Sequence, residues 1–582
     1  MHPPVVPRRP SPLGGRRPHR DELAQFADET VDDLLHDAVR LLIVGVNPGL
    51  WTAAVNAPFA RPGNRFWPSL HRAGLTDHQL DVTHGLSDAD AAHLRERGIG
   101  ITNLVARASV RADELGTVLG RVGVGALPDM VTITPEGDYA LVANEGEPAE
   151  DYSVDPEGSV SVVKLPASVE AATQADVRTA DFRAFEGTLA DKGVHIYGQV
   201  GASTTEAQNL EPEYIAVAGG KAYVTLQENN AVAVVDIASA TVEDVWPLGY
   251  TDRREVPMDI SDKDGKIDIR TAPVKGILQP DSIAAYEVDG TTYLVTANEG
   301  DARDWEAYSE EERIKKLGGK KLAPICEGYA GMTAGEIEEF QADENAGRLK
   351  ITTAFGLNEE KNCYEDLYTY GGRSFSIFTA DGTRVFDSGS EFEELTAKLL
   401  PEYFNTNHTE NEFESRSDDK GPEPEGVALG EINGRTYAFI GFERLGGVMV
   451  YDITDPANAT YQAYINNRDF SVNMEALDDD AITDGLNQAG DLGAEGLTFV
   501  PAKNSPNGEN LLLVGNEVSG TTTVFQVDSL IEAPAEPAQP GTNGEGSSLS
   551  KGGVIAIALA AVALVIGALG ALGNVVNSVI AK

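Results

Sequence analysis

The chain has 582 residues, room for about four domains of ~150 residues or for one large repetitive fold beside smaller units. With 41% hydrophobic and 24% charged residues and two cysteines, it is neither disordered throughout nor a disulfide-stapled miniprotein. Ninety-two acids against 45 bases give a net charge of −47, a balance that repels nucleic acid and attracts cations. The excess is not evenly spread. Residues 1–121 hold 14 Arg, no Lys and 14 acids, so all of the −47 lies further on, where the first lysine is Lys164. Two unlike segments are joined.

Residues 1–30 are rich in Pro and Arg and predict a disordered basic tail. They lack the apolar core of roughly 7–15 residues that a secretory signal needs. The run from Arg40 to Gly49 (RLLIVGVNPG) predicts a buried strand feeding a tight turn at the carboxyl end of a parallel sheet, where ligands bind. Next come PFARPGNRFW (58–67), a helical stretch, and a second strand and loop, GITNLVAR (100–107). Read alone, Asn-Pro-Gly is a turn and Phe66 and Trp67 are core.

In this order and spacing the three motifs resemble the first half of the mismatch-specific uracil/thymine-DNA glycosylases, covering residues 31–116. The resemblance implies that Asn47 positions the water that attacks C1′ of a flipped nucleotide, which suits an amide because it both accepts and donates. It implies that Phe59 stacks on the extruded base, that Asn64 and Arg65 shape the pocket, and that Val46 and Gly49 line it. The family's second half, with its duplex-wedging Asn-Pro-Ser-Gly loop, does not follow Leu115. An incomplete α/β glycosylase-like domain with open sheet edges and little or no base excision is the expectation.

From Ala126 onward a unit recurs: acid, apolar alternation, turn, apolar run, Glu. Its copies open at Asp129, Glu213, Asp281, Glu425 and Glu495 and close at Glu145, Glu228, Glu299, Glu443 and Glu517, separations of 16, 15, 18, 18 and 22 residues. Each predicts two period-2 strands followed by a third, and repeated four-stranded units predict an all-β propeller. Equivalent positions of successive blades ring the axis. Ten carboxylates would converge there and require a cation, and ligands that are oxygen only select Ca2+ before Mg2+. The competing reading has these acids capping turns in solvent.

A separate loop, Asp262-Lys-Asp264-Gly265, copies the middle of an EF-hand loop, with Ile260 in its first ligand position and Thr271 in its twelfth. Cys326 and Cys363 lie in an irregular insertion, residues 303–366, and read as a disulfide or as two buried thiols. Arg373 and Ser374 read as a phosphate site or as a tight turn entering a strand.

The motifs VGALPDMV, LVANEGEP, DISDKDGKI, VTANEGDAR and YGGRSFSIFTADGTRVFDSG (370–389) resemble the choice-of-anchor I family. These are bacterial surface propellers related to mesenchyme-specific cell-surface glycoproteins, some of them alkaline-phosphatase-like. The resemblance implies a propeller of six or seven blades over residues 120–530, with its first blades missing. Residues 531–553 predict a Pro/Gly/Ser linker, and residues 554–575 a transmembrane helix whose flanking Lys551 and Lys582 leave orientation open. The expected localisation is a single C-terminal membrane span, with the propeller extracytoplasmic.

Three functions follow as expectations. The first is a membrane-anchored, Ca2+-binding surface propeller carrying an inactive glycosylase segment. The second is a DNA N-glycosylase for G·U and G·T mismatches, whose partner is mismatched DNA. The third is a metal-dependent phosphoesterase, marked by phosphate release that a chelator abolishes.

Overall fold

The computed structural model describes residues 9–527, except 28, 37, 38, 40, 46, 73, 104–107, 109–119, 169, 198–203, 476, 478–481 and 506. The chain divides into two compact units: residues up to Leu119 with segments from 499 to 514 and from 521 onward, and Gly120–Thr498 with 515–520.

In the first unit Leu41–Gly45 and Ile99–Asn103 pair in parallel, Gly45 opposite Asn103. Helices Leu50–Val55, Phe66–Arg72 and Asp88–Arg97 pack around them. The last begins at Ser87, whose side chain accepts from the Asp90 N–H, and stops at Gly98 in the left-handed region. Ile43, Trp67, Leu70, Leu94, Ile99 and Ile101 form the core. The second strand's outer edge, expected to lie open, is met at Ile101 by Leu34, which exchanges backbone hydrogen bonds of 2.7 and 3.0 Å with it. Residues 9–27, expected as tail, pack on this unit instead. Arg9 pairs with Asp32 at 2.7 Å, Arg20–Phe26 forms a 3-10 turn, and Phe26 is buried.

The second unit carries the repeats. Each four-stranded sheet is antiparallel: Pro128–Ile133, Tyr139–Asn144, Ser159–Lys164 and Val177–Asp181; then Pro212–Ala218, Lys221–Leu226, Ala231–Asp236 and Thr241–Pro247. Ile283–Val288, Thr291–Asn298, Ser374–Thr379 and Arg384–Asp387 make the third. Pro424–Ile432, Arg435–Phe442, Val448–Asp452 and Thr460–Ile465 make the fourth. Ala494–Val500, Leu511–Asn516 and Thr521–Gln526 form a three-stranded sheet. Among the described residues these five sheets, not six or seven, carry the repeat.

The first strand of each sheet packs on the first strand of the next, from Pro128–Ile133 through Pro212–Ala218 and Ile283–Val288 to Pro424–Ile432. The approach is backbone to backbone: a Cβ on Gly158 would lie 2.0 Å from the Leu210 carbonyl oxygen, and one on Gly426 1.9 Å from that of Glu495. Such propeller-like packing leaves polar edges outside and β-branched and aromatic residues between sheets.

The insertion is more ordered than its composition suggested. A five-stranded sheet (Tyr250–Asp252, Lys275–Ile277, Tyr368–Thr369, Lys350–Thr352, Glu311–Arg313) and helix Ala334–Phe340 enclose a core of Met258, Ile260, Ile314, Phe340, Leu349, Ile351 and Tyr364. Cys326 and Cys363 are disulfide-bonded.

The membrane localisation expected from the sequence is corrected. Among the described residues no helix is long and apolar enough to cross a membrane. Residues 531–553 and 554–575, on which the linker and span were placed, lie outside the described residues.

Candidate functional site

In the first unit a cavity of about 380 Å3 opens where the two parallel strands end. Asn47, Gly49, Phe59 and Asn64 line it, together with Trp51, Arg61 and Asn103; Arg65 does not, and Val46 lies outside the described residues. The in-register pairing of Gly45 with Asn103 sends both strand ends to the same place. Gly45 is required there, because a Cβ would come 2.6 Å from Asn103 Oδ1 and 3.5 Å from the Phe59 ring. Phe59, at φ 55°, is held by stacking on Phe66 with centroids 3.8 Å apart. Asn64 Oδ1 accepts the Phe66 N–H at 2.9 Å, so its carbonyl fixes the start of the helix Phe66–Arg72. Asn103 and Trp51 were not singled out from the sequence. Asn103 had a signal, since paired parallel strands of equal length end side by side.

In the second unit the two acids of each repeat come to the same end of a hairpin. Asp129, Glu213 and Glu425 each sit in a bulge of the first strand, where register shifts between Pro128 and Val131, Pro212 and Ile215, and Pro424 and Val427. A bulge bends the strand and re-aims its side chain. Two residues before four of the first acids, Leu127, Gln279, Glu423 and Gly493 all have positive φ. Glu145, Glu299, Glu443 and Glu517 directly follow the second strand of their sheets, and Glu228 follows one residue later.

These carboxylates face one another. Burial first, then Glu228, Asp281, Glu145 and Asp129, hold the Glu213 carboxyl far above the ordinary range. Burial, then Glu299, Asp129, Glu495 and Glu443, do the same to Asp281. Burial followed by Glu299, Glu443, Asp281 and Glu495 raises Glu425. Glu228 is raised by burial, then Glu211, Asp301 and Glu145; Glu145 by burial, then Glu147, Glu211 and Asp129. Glu495 is pushed up to about 7 by burial, then by Glu517, Asp129 and Glu443, and Glu517 rises with burial and then Glu443. The action of Asp129 on Glu495 brings the first and last inner strands together. Asp129 itself remains reachable by solvent, yet the protein crowding its carboxyl raises it.

One sector differs. Glu299, Glu423 and Glu443 are the one group among the described residues with three carboxylate atoms mutually within 4.8 Å. Protein cations already fill it. Lys420 Nζ lies 2.9 Å from Glu299 and 3.2 Å from Glu423, Arg444 Nε lies 3.0 Å from both Glu423 and Glu443, and Arg416 Nε donates to Glu423 at 2.9 Å. Elsewhere in the ring no such partner exists among the described residues: Oε2 of Glu213, of Glu228 and of Glu425 is buried without a hydrogen bond. Glu147, Glu211 and Glu423 were missed from the sequence. Glu147 follows Glu145 by two residues and was readable, whereas the other two precede the repeat acids by two residues and only the fold shows their place.

The phosphate reading of Arg373 and Ser374 loses its donors. Arg373 is 2% exposed and spends its guanidinium on Glu393, at 2.7 Å, and on the carbonyls of Asp259, Ser417 and Asp419. Ser374 is buried between Asn298 and Asp387.

Residues 33–121 match the uracil DNA glycosylase superfamily, and residues 100–456 the choice-of-anchor I domain. Gigasin-3a of Magallana gigas is 31% identical over 205 residues, which are 34% of this chain and 69% of that one. The β-propeller domain of Myceliophteria thermophila Cps50 (Swd1) is similar at 9% identity and TM-score 0.27, over 70% of this chain and 86% of that one. A putative 6-phosphogluconolactonase from Bacteroides uniformis is similar at 10% and 0.25, over 69% and 82%. Likenesses that slight carry no argument about fold or activity. The family match spans more than half of the chain, and with the repeated sheets and the glycosylase-superfamily segment in place the conclusion is direct: this chain belongs to the choice-of-anchor I family and carries a uracil DNA glycosylase superfamily domain ahead of it.

Proposed function

We propose that the β-rich domain is a cation-binding module whose axial carboxylates hold a hard divalent ion, Ca2+ being the best fit for ligands that are all oxygen. Asp129, Glu145, Glu213, Glu228, Asp281, Glu425, Glu495 and Glu517 are the proposed ligands; Glu299 and Glu443 belong to the sector neutralised by Lys420 and Arg444. The observation that carries the reading is the buried, unpartnered Oε2 of Glu213, Glu228 and Glu425. A carboxylate oxygen in that setting takes a proton or a cation, because an uncompensated buried charge is too costly. The full chain should melt several degrees higher in Ca2+ than in EDTA at pH 7.5, about 2.7 kcal/mol of stabilisation at an ion concentration 100-fold above Kd. Glu213→Gln with Glu228→Gln should remove the gain. An unchanged melting temperature at saturating Ca2+ means that these acids are simply protonated.

A second reading concerns the first unit: excision of uracil or thymine from G·U and G·T mismatches. The cavity that places Asn47 and Phe59 on one wall system supports it. An amide can orient the attacking water and an aromatic can offset lost base stacking. Uracil release from a G·U duplex by the full chain, lost in Asn47→Ala, tests it. Activity that survives the substitution removes Asn47 from the chemistry.

A further inference from the structure

The turn at residues 260–271 has the spacing of an EF-hand loop with Gly265 at the sharp sixth position, Asp262 third, Asp264 fifth and Asp268 ninth. Its first position is Ile260, which is 1% exposed and packed in the core of the insertion, so no ligand can come from there. Another carboxylate arrives instead. Glu414, 149 residues further along the chain, reaches the tip of the turn, where its Oε1 accepts the Gly265 N–H at 2.9 Å. Glu414 is 3% exposed, and its other oxygen, Oε2, is buried with no hydrogen-bond partner. It faces Asp264 and Asp262.

The oxygens around it are weakly held. Asp264 gives Oδ1 to the Lys266 N–H at 3.1 Å, while Oδ2 has only the Lys266 ammonium at 3.8 Å. Asp262 gives Oδ1 to Arg348 at 2.6 Å, while Oδ2 meets the Lys263 ammonium at 2.7 Å. Lys263 and Lys266 are 52% and 62% exposed, whereas the two aspartates are 5% and 10% exposed. Ion pairs to such exposed amines are worth little and give way to a divalent ion.

We propose that Asp262, Asp264 and Glu414 form a Ca2+ site outside the axial ring, in which Glu414 supplies from a distant segment the carboxylate that Ile260 withholds. The ion takes Oε2 of Glu414 and Oδ2 of each aspartate, backbone carbonyls of the turn complete the oxygen shell, and the two lysines turn out to solvent. Three carboxylates and flexible loop ligands suit Ca2+ better than the smaller, geometrically strict Mg2+. The site is independent of the ring reading.

The test is Ca2+ bound per chain, by equilibrium dialysis of the chelator-washed full-length protein. Glu414→Gln and Asp264→Asn should each lose one ion per chain, and Glu213→Gln with Glu228→Gln should keep it. Lys263→Ala with Lys266→Ala removes the competing amines and should bind that ion several-fold tighter, a gain no folding defect can imitate. Should Glu414→Gln fail to fold by circular dichroism, Asp264→Asn and the lysine pair decide. Wild-type stoichiometry in Asp264→Asn, no tightening in the lysine pair, or no Ca2+ bound by the wild type overturns the proposal.

Discussion

Replacing Lys420 by Met isolates the charge accounting of the axial ring. The side chain is 12% exposed, and its ammonium lies 2.9 Å from Glu299 and 3.2 Å from Glu423. Met keeps most of the apolar stem, so the change removes mainly the charge. Glu423 retains Arg416 and Arg444, but Glu299 keeps only the neutral Gln227 amide at 2.9 Å. Breaking a buried pair and stranding one partner costs about 3–5 kcal/mol. At roughly 2 °C per kcal/mol for a large domain, the variant should melt about 6–10 °C below wild type in EDTA at pH 8. The deficit should shrink near pH 5.5, where Glu299, raised by burial and by its acidic neighbours, takes up a proton instead. Saturating Ca2+ should also recover part of it, because three carboxylate atoms within 4.8 Å are then free of their ammonium. Scanning calorimetry of both proteins, with EDTA and with Ca2+, reads all three effects. Equal melting of variant and wild type in EDTA would refute the view that Lys420 stands in for a metal.

Further outcomes follow from the same geometry. Glu495, pushed up to about 7, contributes stability that is present below its ordinary value and lost as pH rises through 7. The ion-free domain should therefore weaken between pH 5 and 9, by up to about 3 kcal/mol from this group, and Ca2+ should flatten the profile; urea midpoints that rise with pH contradict this. Gly426→Ala pushes a Cβ to 1.9 Å from the Glu495 carbonyl oxygen and should cost about 3 kcal/mol or more, while Gly496→Ala, with nothing within 4 Å, should be mild in the same denaturation series. Reducing the Cys326–Cys363 bridge, which spans 37 residues, should cost about 3–4 kcal/mol by chain entropy. Proteolysis should then begin inside residues 303–366, and cutting elsewhere first would place the bridge outside the stability of the insertion.

How legible each part was depended on whether it repeats. The ring acids recur at fixed offsets from period-2 strands, so their convergence could be read before any coordinates. Bulges at Asp129, Glu213 and Glu425 then add the aim that spacing alone cannot give. The insertion carries strands of two or three residues, too short for alternation to register, and a core gathered from residues 258 to 367, so it read as irregular. Residues 9–27 read as tail because arginine and proline outvoted two apolar anchors, Leu23 and Phe26. In the first unit the motif residues Asn47 and Phe59 were found, but Asn103 waited on the strand register.

The cations were the least legible part, and they decide the chemistry. Lys420 reaches Glu299 across 121 residues, and Arg444 and Arg416 meet on Glu423, which belongs to no repeat position singled out in the sequence. From composition, an excess of acids asks for metal everywhere. In the fold the acids separate into those answered by the protein's own ammonium and guanidinium groups and those answered by nothing. A metal ion is required only by the second kind, so the pattern of unpartnered oxygens at Glu213, Glu228, Glu425 and Glu414, not the net charge, locates where Ca2+ should act.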